Sequence, residues 1–561
     1  MKTSDILARL KSDSTFRILQ FAIGVIAIGL IFWQLQFSTS AICCGDFDGY
    51  YHFKWTQVLW ESIKTHKFVP AFPWLPLTTL NANQYVDHHL LFHIFLIPFA
   101  RSADPRLGAK ISSALFGGLA VLACYWLVMR YRIRYVLVWL LALLACSAPF
   151  LFRINMAKAP PFAIIYLVIG IHLLFQKKYW PLLPVAFLFT ETYDMFPLLF
   201  AATVMWVAVI GWTERRFEWR PLMWVMLGIA AGLVINPYFP QNLHLIYEHA
   251  KIKLTLADFD TKVGGEWYAY DTWEFLGNSA VACVAMVVGY VALEPAERRR
   301  GHYPVFFALF ATMLLILIAK WRRIAEYWPP FAVMFAAFSL QPWLEGARSS
   351  LTRLPTDIME ELEPFLDREG FSEKSPKISD SRETIRTAVV AVIALVLSVA
   401  LFLNLRATIK EIGQSESHDY YKRGAEWLYA HVPAGHIIFN TDWDDFPRLF
   451  YYDSNHYYVS GLDPSYLYDR NPDLSRLYER ITLGKEDDPG PLIRDRFGAT
   501  YVFSDNAHDD FFAKARASGW FDIVYEDEQC TIMRIRDEKL SPEERDDNYP
   551  ADEPQTGGNR P

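Results

Sequence analysis

Charge is scarce in this chain: 20% of its 561 residues are Asp, Glu, Lys or Arg, where a soluble domain carries about 25%. Apolar residues fill the gap at 53%, more than one soluble core can house. A basic excess is absent as well. The formal net charge is −7, with acids gathered from Asp537 onward, so nothing points to nucleic acid as a partner. Cysteine is rare. The six are Cys43, Cys44, Cys124, Cys146, Cys283 and Cys530. Three lie inside apolar runs and the adjacent Cys43 and Cys44 are poorly placed to bridge each other, which argues against a disulfide framework. No internal repeat or low-complexity tract is present. After residue 404 there is no apolar run long enough to cross a bilayer. No A-x-A-like cleavage site follows the first apolar run, Phe21–Phe37, which has a basic lead of Lys2, Arg9, Lys11 and Arg17. That run exceeds a signal-peptide core, so it reads as a retained anchor.

What the chain does have is a series of apolar segments. They fall near 18–37, 108–129, 135–152, 161–176, 180–194, 196–212, 222–237, 272–293, 303–319, 328–343 and 386–404, giving 11 candidate spans. With the N-terminus inside, every basic cluster in the short loops falls in the cytoplasm: Arg130, Arg132 and Arg134; Lys177 and Lys178; Arg215, Arg216 and Arg220; and Arg298 to Arg300. The run His88–Ala100 is too short to span and would invert all later loops, so it reads as an interfacial or re-entrant helix. Residues 344–385 then form a cytoplasmic loop. The 38–87 loop, the 238–271 loop and everything after residue 404 face outward.

Beyond residue 405 the pattern changes to that of a soluble domain. Asp419–His431 predicts an amphipathic helix, and His436–Phe439, His456–Val459, Thr500–Phe503 and Cys530–Ile535 predict strands between Asn, Asp, Pro and Gly turns. The expected fold class is an α-helical polytopic membrane domain over 1–404, followed by an extracytoplasmic mixed α/β domain over 405–536. An acidic tail, 537–561, is expected to be disordered.

Chemistry-bearing residues gather on the outer face. Asp46 and Asp48 sit one residue apart just beyond the first span, and Asp87-His88-His89 ends the same loop. Paired carboxylates there suit a divalent cation or the removal of a proton from an acceptor; the alternative is Asp in solvated turns. The 238–271 loop carries Lys262-Val-Gly-Gly-Glu-Trp-Tyr268, and a third patch reads Lys320-Trp-Arg-Arg-Ile-Ala-Glu-Tyr327. Arg322 and Arg323 beside a bilayer surface suit a phosphate or pyrophosphate through forked donors, with interfacial snorkelling as the alternative. Glu191 and Asp194 lie at the outer end of a short span, where capping of helix ends is the simpler role. The soluble domain offers Asp442, Trp443, Asp444 and Asp445 as an acceptor-side patch, joined by Asp87 and His88 of the first outer loop, while Arg448, His456 and Asp463 read as turn and surface residues.

At these residues the chain resembles the catalytic subunit of oligosaccharyltransferase and its archaeal and bacterial counterparts, within the type C glycosyltransferases that use polyprenyl-phosphate sugars. Asp48-Gly-Tyr-Tyr-His52 is similar to the family's first outer-loop aspartate motif, which implies that Asp48 is a catalytic and metal-binding carboxylate. Gly264-Gly265-Glu266 is similar to the loop motif whose Glu helps hold acceptor and metal. Arg322–Arg323 falls where the family keeps an arginine for the donor phosphates. Glu426-Trp-Leu and then Asp442-Trp-Asp-Asp-Phe446 fall where the family has its Trp-Trp-Asp-Tyr-Gly motif. The resemblance implies a donor of polyprenyl-(pyro)phosphate sugar in the membrane lipid, an extracytoplasmic acceptor, and Mg²⁺ or Mn²⁺ held by Asp48 and Glu266. Two departures bear on this. Where the family has a second acidic motif, Arg153 is followed by Ile-Asn-Met-Ala-Lys158 with no carboxylate. Asp46, Asp87 or His88 would have to replace those ligands, or Lys158 and Arg153 supply the positive charge themselves. The Trp-Trp-Asp motif is here Asp-Trp-Asp, which does not imply an Asn-x-Ser/Thr acceptor. The rival reading is a transporter or flippase of lipid-linked saccharides, which would place ionisable residues near the bilayer midplane on broken helices.

Overall fold

The computed structural model describes residues 13–41, 47–254, 264–293, 301–349 and 377–541. The chain divides into two compact units. The first comprises 1–40, 110–235 and 265–415; the second gathers 41–109, 236–264 and 416–561. Residues 41–87 of the first long loop and 238–264 of the second therefore belong to the same compact unit as the C-terminal α/β domain, while 265–271 belong to the first unit.

The first unit is helical. Each of the 11 predicted spans coincides with a helix or with a bent helix pair. Among the described residues, three helices, Thr15–Gln36, Pro105–Arg130 and Thr387–Ile412, are long and apolar enough to cross a bilayer, or up to five spans if each bent pair counts as one. The last lies within a helix that runs Lys377–Ile412, well beyond the expected ends. Helices Leu182–Thr192 and Arg220–Ile235 approach closely because Gly228 and Gly232 present no side chain. A β-carbon at either would collide with Leu183 and Ala186 or with Thr190 and Phe187.

Two helix breaks shape this unit. Val136–Leu144 and Ala148–Ile154 meet at 79° across Ala145–Ser147. Ser147 caps the second helix by accepting from the Phe150 N–H, with Pro149 in its first turn, a combination that starts helices. Thr272–Asn278 and Ala280–Val291 meet at 84° at Ser279. The breaks satisfy each other: Ser147 Oγ and Ser279 Oγ are 2.9 Å apart, and the Ala282 N–H donates to the Cys146 carbonyl at 3.2 Å. Backbone groups freed within an apolar layer need such partners.

The second unit holds a five-stranded mixed sheet. Its strands are β1 Ile437–Asn440, β2 Tyr457–Tyr458, β3 Ala499–Asp505, β4 Phe521–Glu526 and β5 Cys530–Ile535, in the order β2-β1-β3-β5-β4. β1 runs parallel to β2 and β3, while β5 is antiparallel to β3 and β4. Strand β4 is the one that sequence reading missed. The helix expected from Asp419 begins instead at Lys422, because Tyr421 takes a left-handed backbone conformation (φ 67°) that no helix continues through. The fold also runs past the expected boundary at 536: the Leu540 N–H donates to the Gly519 carbonyl at 3.0 Å, and Leu540 is buried. The rest of the tail, 542–561, lies outside the described residues. One core joins Trp55, Leu59, Phe72 and Tyr85 of the first loop to Phe446, Phe450, Tyr458 and Ile532. Helix Asp48–Lys64 is thereby anchored on its buried face.

Candidate functional site

In the first unit the structure brings together four of the residues singled out from sequence. The capped helix Ala148–Ile154 carries Arg153 inward. Its Nη2 donates to Glu266 Oε2 at 2.5 Å, and its Nε and Nη2 donate to Glu326 Oε1 at 2.8 and 2.6 Å. Arg323 donates from Nη1 to Glu266 Oε1 at 3.3 Å and from Nη2 to the Tyr193 hydroxyl at 2.5 Å. Its guanidinium also lies over the Trp267 ring, 5.0 Å from the centroid. Lys158 adds a third positive charge near Glu266. Burial alone would raise the Glu266 carboxyl, but Arg323, Arg153 and Lys158 outweigh it and hold it well below the usual range.

Arg323 and Glu326 share this cluster because they lie three residues apart in the 3₁₀ turn Arg322–Glu326, where positions i and i+3 eclipse. Glu326 and Tyr193 were not singled out from sequence. The signal for Glu326 was its place in the Lys320–Tyr327 patch; for Tyr193, its place between Glu191 and Asp194. Arg322 points elsewhere. Its Nε donates to the Ala269 carbonyl at 3.0 Å, and the group lies over Tyr270 and near Glu274. Glu191 is buried near the end of its helix, and one oxygen of Asp194, Oδ1, is buried without a hydrogen-bond partner.

In the second unit Asp48 is the first residue of helix Asp48–Lys64, where the positive end of the helix dipole favours a carboxylate. Asp46 lies outside the described residues, as do Lys262, Cys43, Cys44 and Arg298–Arg300. Asp87 does not stand on an acceptor-facing surface as expected. It is 2% exposed. It accepts from Trp55 Nε1 at 2.8 Å, from the His89 N–H at 3.0 Å and from His93 Nδ1 at 2.8 and 2.9 Å. A buried carboxylate persists only with such partners. Its neighbour His88 is partly exposed and packs against the His89 ring, with centroids 4.0 Å apart.

Asp442 to Asp445 follow strand β1. Burial first, and then Asp442, push the Asp444 carboxyl up to about 7. Asp445 is raised well above its usual value by burial, with Asp444, Asp505 and Asp442 adding to it. Asp442 and Trp443 line a pocket of about 180 Å³ together with Ser460, Tyr478, Glu479 and His508. Acids facing an aromatic pocket suit a hydroxyl-rich or cationic ligand.

The chain covers most of several solved structures. It matches the apo crystal structure of the Archaeoglobus fulgidus oligosaccharyltransferase with a TM-score of 0.59 over 91% of this chain and 74% of that one, at 11% identity. It matches the Archaeoglobus fulgidus AglB complex with an inhibitory peptide and a dolichol-phosphate with a TM-score of 0.58, 11% identity, and 90% and 73% coverage. ArnT from Cupriavidus metallidurans bound to undecaprenyl phosphate gives 0.53, 13% identity, and 92% and 98% coverage. The chain shares the fold of these solved structures. No protein-family model and no curated protein sequence matches the chain.

The expected cation at Asp48 and Glu266 fits this site poorly. Both Glu266 oxygens already face guanidinium groups. Among the described residues, no group of three or more His, Cys, Asp or Glu side chains is arranged to hold a metal ion.

Proposed function

We propose that the protein is a membrane glycosyltransferase that moves a sugar or oligosaccharide from a polyprenyl-(pyro)phosphate donor to an extracytoplasmic protein, lipid or glycan acceptor. One observation carries this reading: Arg153 and Arg323 converge on Glu266 with Lys158 nearby, on a fold whose solved examples hold dolichol-phosphate and undecaprenyl phosphate. The Arg323 Nε–H is buried without a hydrogen-bond partner and able to donate to a phosphate.

Arg323 then holds the donor phosphate with Lys158, while Arg153 fixes Glu266 in place. Asp48 orients the acceptor and takes its proton. The acceptor oxygen or nitrogen bonds to the anomeric carbon as the bond from that carbon to the phosphate oxygen breaks, and the polyprenyl (pyro)phosphate leaves. The Asp442–Asp445 patch with Trp443 serves the acceptor. The positive charge that balances the leaving phosphate comes from the arginines, so no step is assigned to a cation.

Incubating purified protein in lipid nanodiscs with radiolabelled undecaprenyl-phosphate sugars tests the reading. Cleavage of the donor, lost in Asp48→Asn, supports it. Movement of intact donor across proteoliposomes without cleavage would establish the flippase reading instead.

A further inference from the structure

Strands β2, β1 and β3 run parallel, so their C-terminal ends lie at the same side of the sheet. In the order β2-β1-β3 the chain leaves β1 to one side and then crosses to the other. Such a reversal opens a crevice beyond the strand ends, where open α/β sheets bind their ligands. The pocket of about 180 Å³ sits at these ends. Asp442 and Trp443 follow β1, Ser460 follows β2 and His508 follows β3, while Tyr478 and Glu479 come from the helix Pro472–Thr482.

One buried amide holds the pocket in shape. Asn440, the last residue of β1, is fully buried. Its Nδ2 donates to the Asp442 carbonyl at 2.6 Å and to the Ser460 carbonyl at 2.8 Å. Its Oδ1 accepts from the Val459 and Ser460 N–H groups at 3.1 and 3.3 Å, and its carbonyl accepts from the Tyr478 hydroxyl at 2.8 Å. The segments after β1 and β2 are thereby fixed against each other. Ser460 is nonetheless 1% exposed, with Oγ buried and without a hydrogen-bond partner among the described residues. A buried hydroxyl in a rigid frame of satisfied groups calls for a partner from outside the protein.

The lining decides what that partner is. Trp443 is partly exposed and forms an aromatic wall. Asp442 and Glu479 bring carboxyl oxygens that accept hydrogen bonds, and the Ser460 hydroxyl can donate or accept. His508 Nδ1 is bound to Asp505, so Nε2 is the nitrogen left to meet a ligand. Burial disfavours a charge on His508, but the bond to Asp505 outweighs it and raises its affinity for a proton. An ammonium ligand would compete with this imidazole, and an anion would face the two acids. A neutral ring with several hydroxyls answers every group. Its C–H face packs on the indole, and its hydroxyls donate to the acids and accept from His508. The pocket is smaller than the ~300 Å³ at which drug-sized sites begin, so it takes one ring rather than a run of sugars.

We propose that this pocket binds one neutral pyranose ring of the acceptor, which makes the acceptor a glycan rather than a peptide. Its role toward the acceptor rests on the transferase reading given above; sugar binding rests on the pocket alone.

The test titrates full-length protein in nanodiscs with the methyl glycosides of glucose, galactose, mannose and N-acetylglucosamine, followed by saturation-transfer NMR. A Ser/Thr-containing peptide and methylammonium serve as competitors, and donor cleavage is measured in parallel with radiolabelled undecaprenyl-phosphate sugars and a cell-envelope acceptor fraction. Wild type should bind at least one glycoside, and neither competitor should displace it. Ser460→Ala should weaken that binding by about 5-fold or more, the loss of one hydrogen bond. Its unfolding temperature should not fall, since Oγ has no hydrogen bond within the fold to lose. Trp443→Phe should keep more binding than Trp443→Ala. The bound glycoside should inhibit transfer in competition with the acceptor fraction; competition with the donor instead overturns the acceptor role. Absence of glycoside binding, binding unchanged in Ser460→Ala, or displacement by peptide or methylammonium overturns the pocket assignment. Donor cleavage without glycoside binding sinks this inference and leaves the transferase reading standing. Glycoside binding without donor cleavage leaves a sugar pocket and overturns the transferase reading.

Discussion

Arg153 and Glu266 are joined by a 2.5 Å ion pair across 113 residues of sequence, and the same Arg153 nitrogen reaches Glu326. One guanidinium thus holds together a broken helix, an outer loop and a 3₁₀ turn. Glu326 is 1% exposed at the side chain and has one oxygen, Oε2, with no hydrogen-bond partner, while Arg153 engages the other.

Arg153→Met should therefore destabilise the first unit by about 3 kcal/mol, the lower end for breaking a buried pair, because Glu266 keeps 24% side-chain exposure. Adding Glu326→Gln should recover part of the loss. A double-mutant cycle on the detergent-induced unfolding midpoint checks this, and strictly additive effects would show that the pair is not coupled.

Arg323 is expected to distinguish guanidinium from ammonium. It engages Glu266 and Tyr193 through two nitrogens and lies over Trp267, a geometry that a lysine cannot reproduce. Arg323→Lys should keep the fold but weaken donor binding by about 10-fold or more, the loss of one hydrogen bond to a charged group. Equal KM values for the donor in wild type and variant would remove Arg323 from the phosphate site.

Chelation gives a third outcome. With both Glu266 oxygens facing arginines, transfer should persist in excess EDTA. Complete loss of transfer, restored by Mg²⁺ or Mn²⁺, would mean that a cation displaces these pairs.

The helical framework was legible because a bilayer demands long apolar runs, and each of those runs is a helix or a bent helix pair. The two breaks were not, although Ser147 followed by Pro149 is a helix-start signal. It lay inside an apolar stretch that length alone assigned to one span. Strand β4, Phe521–Glu526, was readable in principle as an apolar run between Gly519 and Asp527. It passed unseen because Asp522 interrupts the hydrophobic pattern. Arg153, Glu266 and Arg323 were each marked by local motif, but their mutual pairing was not, since it depends on how helices far apart in sequence pack. Asp87 misled for the same reason: a carboxylate beside two histidines reads as a surface site until Trp55 and His93 are seen to enclose it.

The Asp442–Asp445 segment makes a pH prediction whose sign follows from burial. Asp444 is pushed up to about 7 and Asp445 is raised well above its usual value, while both have ordinary values near 3.8 when unfolded. Between those values the folded protein binds protons that the unfolded chain has released, so stability falls as pH rises. The contribution is fully present below about pH 4 and is lost progressively up to about pH 7 at Asp444, and that of Asp445 is lost as pH rises through its own raised value. Hydrogen exchange of the helix Phe446–Tyr452, which Asp445 precedes, reports this locally. Protection there should decline from pH 5 to pH 7 more than in strands β3 and β5, once the intrinsic pH dependence of exchange is removed. Asp444→Asn should flatten part of that decline, because the neutral amide no longer pays desolvation of a charge beside Asp442. If protection instead rises with pH, these carboxylates are ionised in partnership with a bound cationic group, and the acceptor-side patch holds a ligand rather than awaiting one.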